Sequence, residues 1–290
     1  MALRVLWALL ILTTIPCVSS AADERWQVGT APSFSTGKYG TDERTEIVYT
    51  PIIARRLFDS GDLTLVFPFL CITGTGNVTV VNGSPVRTEQ TNGRTTGAPT
   101  DRSRTIERTT RAGTAPATAT ATPARETTNC GLGDVVVRGR YFLIDERGWI
   151  PTIAIRAHLK TPTASAAHGL GTGRPDEGIG VEVSRTVGRG LVAMVDGGYT
   201  NIGKPAGADF RNSWSYDVGI GQDLANGVVN LSVFFEAYSS IVRGFTSSRD
   251  ILAAVALRSA SGWRFQVAAE VGLSDGAPDR GITFGASRRF

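Results

Sequence analysis

The residues best suited to chemistry are few in this sequence, and their arrangement argues against catalysis. His158 and His168 are the only histidines, which excludes a zinc site built from several imidazoles. His158 lies between Arg156 and Lys160 in an alternating stretch, and no serine-rich motif accompanies it that would make it a catalytic base. The cysteines beyond the amino terminus lack the close spacing of metal ligands. We therefore expect no enzyme activity, no metal and no cofactor.

The amino terminus has the pattern of a secretory signal. Arg4 precedes an apolar run from Val5 to Ile15, and small residues follow as far as Ala22. The apolar run is shorter than the roughly 20 residues that a membrane-spanning helix requires. We predict a signal peptide over residues 1–21, which carries Cys17 away with it and leaves residues 22–290 as the exported protein.

The composition of the full chain excludes several classes of protein. A net charge of +4 is too weak and too scattered for a nucleic-acid partner, which an exported chain would rarely meet. No later stretch is apolar enough for a membrane helix, although hydrophobic residues make up 41% of the chain and charged residues only 19%. A membrane protein that crosses the bilayer with strands stays compatible with these values.

Twelve stretches of strand character follow one another from Trp26 to Phe290, and helical periodicity is nearly absent. The connections alternate between tight turns such as "DERG" and longer loops such as "NIGKPAGADFRN". Outer-membrane barrels have this asymmetry, with short periplasmic turns and longer extracellular loops. We predict an all-β fold: a transmembrane antiparallel up-and-down β-barrel of about 12 strands over residues 22–290, with both termini periplasmic, in the bacterial outer membrane.

Alternation within the strands predicts which side chains face the lumen. From Trp263 to Leu273, for example, every second residue is apolar, and the intervening positions include Arg264 and Glu270. The second set is too polar for a dry core, so we assign the apolar face to lipid. The predicted lumen-lining residues are Asp134, Arg138, Arg140, Arg156, His158, Lys160, Glu182, Asp196, Asp217, Glu236, Arg258, Arg264 and Glu270. In the early strands alternation is poor, and Pro51 and Pro68 predict bulges or kinks there.

Aromatic residues at strand ends predict the two membrane interfaces. We assign an aromatic girdle and terminal assembly signal to Trp149, Trp214, Trp263, Phe284 and Phe290. In such signals another aromatic residue usually lies two positions before the last, where this chain has Arg288. An arginine can be tolerated at the interface because its charged end reaches water.

One long connection differs in composition from the rest of the chain. Residues 82–129 are rich in Thr, Arg, Ala and Pro, with seven arginines against four acids. We predict a disordered extracellular loop; the alternatives are a lid over the lumen and a binding surface for an anion such as lipopolysaccharide. Cys71 and Cys130 flank this loop, and they either form a disulfide at its base or stay as unpaired thiols if the register differs by one residue.

Four motifs resemble one known family. They are "GLGDVVVRGRYFLI" from Gly131, "LKTPTAS" from Leu159, "GLGTGRPDEGIGVEVSRTVG" from Gly169 and the terminal "GITFGASRRF". Together they are similar to the outer-membrane barrels labelled as transporters of the meta-pathway of phenol degradation. The resemblance implies a barrel that moves small, often hydrophobic or aromatic compounds, and it supplies no catalytic residues.

The sequence therefore favours an outer-membrane channel or transporter for small molecules. The predicted lumen charges would create a transverse field across a narrow pore, or else pair with one another and plug it. The alternative function is an occluded structural or surface-binding barrel that acts through its long extracellular loop. The expected partners are outer-membrane lipid and lipopolysaccharide, the barrel assembly machinery and an unidentified small solute.

Overall fold

The computed structural model describes residues 25–75, 78–81, 84–87, 126–205 and 208–290. These residues form β1 (Trp26–Thr30), β2 (Ser33–Gly37), β3 (Thr45–Phe58), β4 (Gly61–Gly74), β5 (Val78–Val81), β6 (Ser84–Arg87), β7 (Thr127–Leu132), β8 (Val136–Ile144), β9 (Thr152–Lys160), β10 (Asp176–Thr186), β11 (Leu191–Asn201), β12 (Ser213–Leu224), β13 (Val229–Tyr238), β14 (Ser248–Arg258), β15 (Trp263–Gly272) and β16 (Arg280–Arg289). Two short 3₁₀ turns are also present, Ala166–His168 and Ala225–Gly227.

Fourteen of these strands form one antiparallel sheet that closes on itself. β1 and β2 are successive halves of one wall position between β3 and β16, and β7 and β8 both pair with β4. The sheet therefore has twelve positions, which confirms the predicted twelve-stranded barrel. Closure is completed where the Trp26 N–H donates to the Phe290 carbonyl at 2.9 Å and the Phe290 N–H donates back at 2.8 Å. The terminal phenylalanine is thus held in the wall, because a closed barrel leaves no free edge.

The two ends of the barrel differ in the length of their loops. Following the sequence-based prediction, we call the end with the longer loops the extracellular end or mouth, and the end with the short turns the periplasmic end; upper means toward the mouth and lower means away from it. β3 and β4 are joined by two residues, whereas β9 and β10 are joined by residues 161–175, and this alternation continues around the barrel. The signal peptide predicted over residues 1–21 lies outside the described residues. Of the segment 82–129, residues 84–87 pair with β5 and residues 127–129 begin β7, while 88–125 lie outside the described part.

The early prolines mark irregularities in the neighbouring strands. Pro51 and Pro68 face each other directly, and the register of β3 with β4 runs past them without a shift, contrary to the predicted bulge in these strands. The break between β1 and β2 lies beside Pro51, and the break between β7 and β8 lies beside Pro68. A proline has no N–H to donate to a ladder, so the interruption occurs in the strand that would have accepted it.

The outer surface of the barrel is apolar over most strands. On β15, for instance, Phe265 and Val267 are about half exposed, whereas Arg264 and Gln266 between them point inward. Such a surface would be unstable in water but suits the hydrocarbon of a bilayer. No helix in the described part of the chain is both long enough and apolar enough to cross a membrane.

Candidate functional site

The lumen contains a cavity of about 590 Å³. Inward-facing positions of the alternating strands line it, and its size is in the range of small-molecule pockets. Its charged lining residues and histidine are Arg55, Asp62, Arg138, Arg140, Arg156, His158, Glu182, Asp217 and Arg264.

A chain of ion pairs crosses the lower part of the cavity. Asp62 on β4 accepts bonds from Arg55 at 2.6 Å and from Arg140 at 2.9 Å. Arg140 on β8 also reaches Glu182 on β10 at 3.3 Å, passing over the intervening strand β9. These charges are mutually compensated and tie four strands together, as a plugged lumen would require.

Beside these ion pairs, one arginine and one histidine side chain pack against glycine residues of β10. Arg156 on β9 forms an ion pair with Asp196 on β11, across β10. A Cβ atom at Gly178 would overlap the imidazole ring of His158, and one at Gly180 would come within 3.2 Å of Arg156 Nη2. The absence of side chains at these two positions therefore leaves space for both groups within the wall.

The cationic lining is not fully paired. Arg138 and Arg264 both line the cavity, and neither forms a salt bridge with any residue that the structure describes. The Nε of Arg264 is buried without a hydrogen-bond partner.

A row of carboxylates runs along the inner wall from β10 to β14. Five acids occupy directly opposed positions on five neighbouring strands, and we call them the acidic row: Glu182, Asp196, Asp217, Glu236 and Asp250. Glu182 and Asp196 have the arginine partners described above. Asp217, Glu236 and Asp250 form no salt bridge within the described residues, and neither does Glu270, which points inward on β15. Along the strands the row rises from the middle of the barrel at Glu182 to the extracellular end at Asp250.

A separate ion cluster lies at the extracellular end. Lys160, only 1% exposed, lies 3.1 Å from Asp134 and 2.8 Å from Asp176, and it donates to the Thr172 hydroxyl at 2.9 Å. The two carboxylates also accept the backbone N–H groups of Ala164 and Gly203. This cluster fastens the loops 161–175 and 202–212 to the wall.

Two apolar clusters cover parts of the mouth. The first, the β3–β4 cluster, packs loop side chains on the inner face of β3 and β4 and consists of Tyr39, Ile47, Leu70, Ile72, Val78, Ala164 and Leu170. Desolvation by burial raises the pKa of Tyr39 to about 12, so its hydroxyl stays protonated beside Ser35 Oγ, 3.1 Å away. The second cluster joins the loops 202–212 and 239–247 and consists of Ile202, Phe210, Ile241 and Val242.

A disulfide joins Cys71 on β4 to Cys130 on β7. The two residues are directly opposed in the ladder, so the register is the one in which both thiols point the same way. The bond closes the base of the connection that contains the undescribed residues 88–125.

The aromatic residues assigned to the interfaces lie on the outer surface. Trp149 is 78% exposed, and Trp214, Trp263, Phe284 and Phe290 also point outward. The guanidinium of Arg288 lies 5.8 Å from the centre of the Trp263 ring, so the residue that replaces the expected aromatic packs on another one.

The predicted lumen residues divide into four groups. Seven line the cavity: Arg138, Arg140, Arg156, His158, Glu182, Asp217 and Arg264. Asp196, Glu236 and Glu270 point inward beside it, and Arg258 lies at the periplasmic end of β14. Asp134 and Lys160 differ from the prediction, because both are buried in the ion cluster at the extracellular end instead of lining the open lumen.

Sequence reasoning missed three charged residues of the lumen. Arg55 and Asp62 lie on β3 and β4, whose apolar residues occupy both faces, so alternation gave no signal. Asp250 shares its face with Leu252, Ala254 and Ala256, which conceals its inward position. Its parity with Arg258, which was assigned to the lumen, is the signal that could have identified it.

Comparisons with known proteins agree with the barrel. The family described as "Putative MetA-pathway of phenol degradation" matches residues 54–290. An outer membrane channel from Pseudomonas putida F1 is similar in structure, with a TM-score of 0.64 and 11% identity over 96% of this chain and 100% of that one. No curated protein matches the sequence.

Two further solved structures are less similar. The KdgM porin, solved with disordered oligogalacturonate, has a TM-score of 0.47 and 7% identity over 91% of this chain and 99% of that one. The CymD monoaromatic hydrocarbon channel has a TM-score of 0.43 and 8% identity over 92% of this chain and 89% of that one. The family match, the fold shared with the channel from Pseudomonas putida F1, the closed ladder and the apolar outer surface identify an outer-membrane β-barrel, as predicted.

Proposed function

This chain belongs to the phenol-degradation family whose sequence pattern spans residues 54–290, and on that premise we propose that it is a passive channel for small molecules across the outer membrane. The observation that carries the proposal is the cavity of about 590 Å³ inside the barrel, which presents charged groups of both signs. The similar structure from Pseudomonas putida F1 is also an outer membrane channel, which supports the same role.

The lining favours a solute with an apolar body and a polar group. Ile53, Ile202, Ile241 and Tyr238 border the cavity together with the charged residues. A compound the size of a substituted benzene would contact both kinds of surface, in keeping with the aromatic solutes expected for the family. Lipopolysaccharide and the assembly machinery stay as proposed partners, and we propose no catalytic role.

Single-channel recording of the refolded barrel, residues 22–290, in a planar bilayer tests the proposal. We expect discrete conductance steps in potassium chloride, with mild charge selectivity because both signs line the lumen. A variant that breaks the ion-pair chain, Arg140→Gln, should alter the step size, whereas Arg185→Gln at the periplasmic end of β10 serves as the charge-matched control. A folded barrel without conductance steps would favour the occluded, surface-binding alternative.

A further inference from the structure

The upper part of the acidic row is electrostatically unfavourable as the chain stands. Asp217 is directly opposite Glu236, and Glu236 is directly opposite Asp250. Like charges in directly opposed positions destabilise a sheet. The arginines that compensate the row reach only Asp196 and Glu182, at its lower end. The upper acids therefore lack the compensation that the lower ones have.

Burial increases this cost at one member of the row. Asp250 is 3% exposed, and its Oδ1 has no hydrogen-bond partner; Ser248 makes only a long bond of 3.4 Å to Oδ2. Asp217 Oδ1 is also buried and unpaired. Buried polar atoms in folded proteins are nearly always satisfied. Two unsatisfied carboxylate oxygens on one wall thus leave room for a donor beyond the residues that the structure describes.

The space beside Asp217, at the lower end of these three acids, indicates what that donor is. Asp217 lines the cavity beside Tyr238, and Ile202 and Ile241 line it closer to the mouth. An aromatic ring and aliphatic side chains next to a carboxylate suit a cation that carries an apolar body. No group of three or more potential ligands in the described part of the chain is arranged to hold a metal ion, which favours an organic cation.

We propose that the upper acidic row, Asp217, Glu236 and Asp250, binds the positively charged group of a small organic amine, with the apolar part of the amine against Tyr238 and Ile202. This inference rests on the proposed function, because it names the class of solute that the channel takes. Asp217 borders the cavity and would meet the amine first, and Glu236 and Asp250 continue the row from it toward the extracellular end.

Calorimetric titration of the refolded barrel in uncharged detergent micelles tests the proposal without requiring conduction. The probes are benzylammonium, benzyl alcohol and benzoate, which have similar size and carry charges of opposite sign or none. After subtraction of the heat from empty micelles, we expect saturable binding of benzylammonium, at least tenfold weaker binding of benzyl alcohol and no binding of benzoate.

Two double variants locate the site. Asp217→Asn with Glu236→Gln should weaken benzylammonium binding at least tenfold. Asp209→Asn with Asp275→Asn removes the same charge from exposed extracellular loops and should bind as the unmodified barrel does. The shift in gel mobility between heated and unheated samples verifies that each variant is folded. Equal affinity for benzylammonium and benzyl alcohol, or unchanged affinity in the lumen variant, would overturn the proposal.

The outcomes separate this inference from the channel itself. A barrel that conducts potassium chloride but does not discriminate among the three probes keeps the channel function and loses the amine site. A barrel that binds benzylammonium through Asp217 and Glu236 but never conducts keeps the amine site and loses the channel function.

Discussion

The β3–β4 wall and the β12–β14 wall of this barrel face the same lumen, yet their inner surfaces are opposite in character. On β3 and β4 the inward side chains toward the mouth are apolar, and loop residues such as Tyr39 and Leu170 cover them. On β12 to β14 the inward side chains include three acids without a salt bridge among the described residues, and Asp217 borders the open cavity.

The difference shows that the polarity of a strand's inward side chains depends on whether loops or the cavity lie against them. Where loops fold onto the wall, the inner face behaves as a protein core and alternation disappears, because both faces are apolar. Where the wall borders the cavity, as on β12, the inner face carries charge and alternation is clean. The covered wall contributes stability to the barrel, and the open wall presents the acids that we propose as an amine site.

The disulfide should have the largest effect on the covered wall. Replacing Cys71 and Cys130 by serine should lower the free energy of unfolding by about 4 kcal/mol, from the chain entropy of closing a loop between residues 59 apart. Urea unfolding in micelles, followed by tryptophan fluorescence, measures the loss, and adding a reductant to the unmodified barrel should reproduce it. An unchanged midpoint would mean that the base of the connection is held by the strand pairing alone.

Lys160 should have the next largest effect, because it compensates two buried acids at once. Lys160→Met should cost about 3 kcal/mol, since Asp134 and Asp176 would be left as buried charges without a cation. Lys204→Met is the matched control, because Lys204 is exposed in the loop 202–212 and should tolerate the change. Thermal unfolding of both variants measures the two losses of stability. Equal losses would mean that Lys160 acts as an ordinary surface charge and does not fasten the loops.

Shortening one side chain of the covering loop tests the apolar packing itself. Leu170→Ala should lower the free energy of unfolding by about 2 kcal/mol, because Leu170 is buried in the β3–β4 cluster. Leu273→Ala, at an exposed position after β15, should have a much smaller effect. Equal effects from the two substitutions would contradict the distinction between covered and open walls.

How much of each wall could be predicted from the sequence depends on whether loops cover its inner face. Alternation was readable on β8 to β16, so the barrel, the strand number and most lumen residues followed from it. On β3 and β4 the hydrophobic inner face hid Arg55 and Asp62, and nothing in a single sequence indicates that distant loops will cover a strand. The acidic row was also unpredictable, because opposition across strands depends on a register that alternation does not fix.

The smallest expected effect has the opposite sign and lies on the open wall. Glu236 stands between Asp217 and Asp250, so Glu236→Gln should raise the free energy of unfolding by about 0.5 kcal/mol as two repulsions across the ladder are removed. Glu177→Gln, at an outward position on β10 opposite Asn201, removes the same charge and should leave stability nearly unchanged. Thermal unfolding at low salt measures the difference, which should shrink as salt is added because screening weakens repulsion. A loss of stability in Glu236→Gln would mean that the carboxylate takes part in a favourable network, and the open wall would then resemble the covered one in being built for stability.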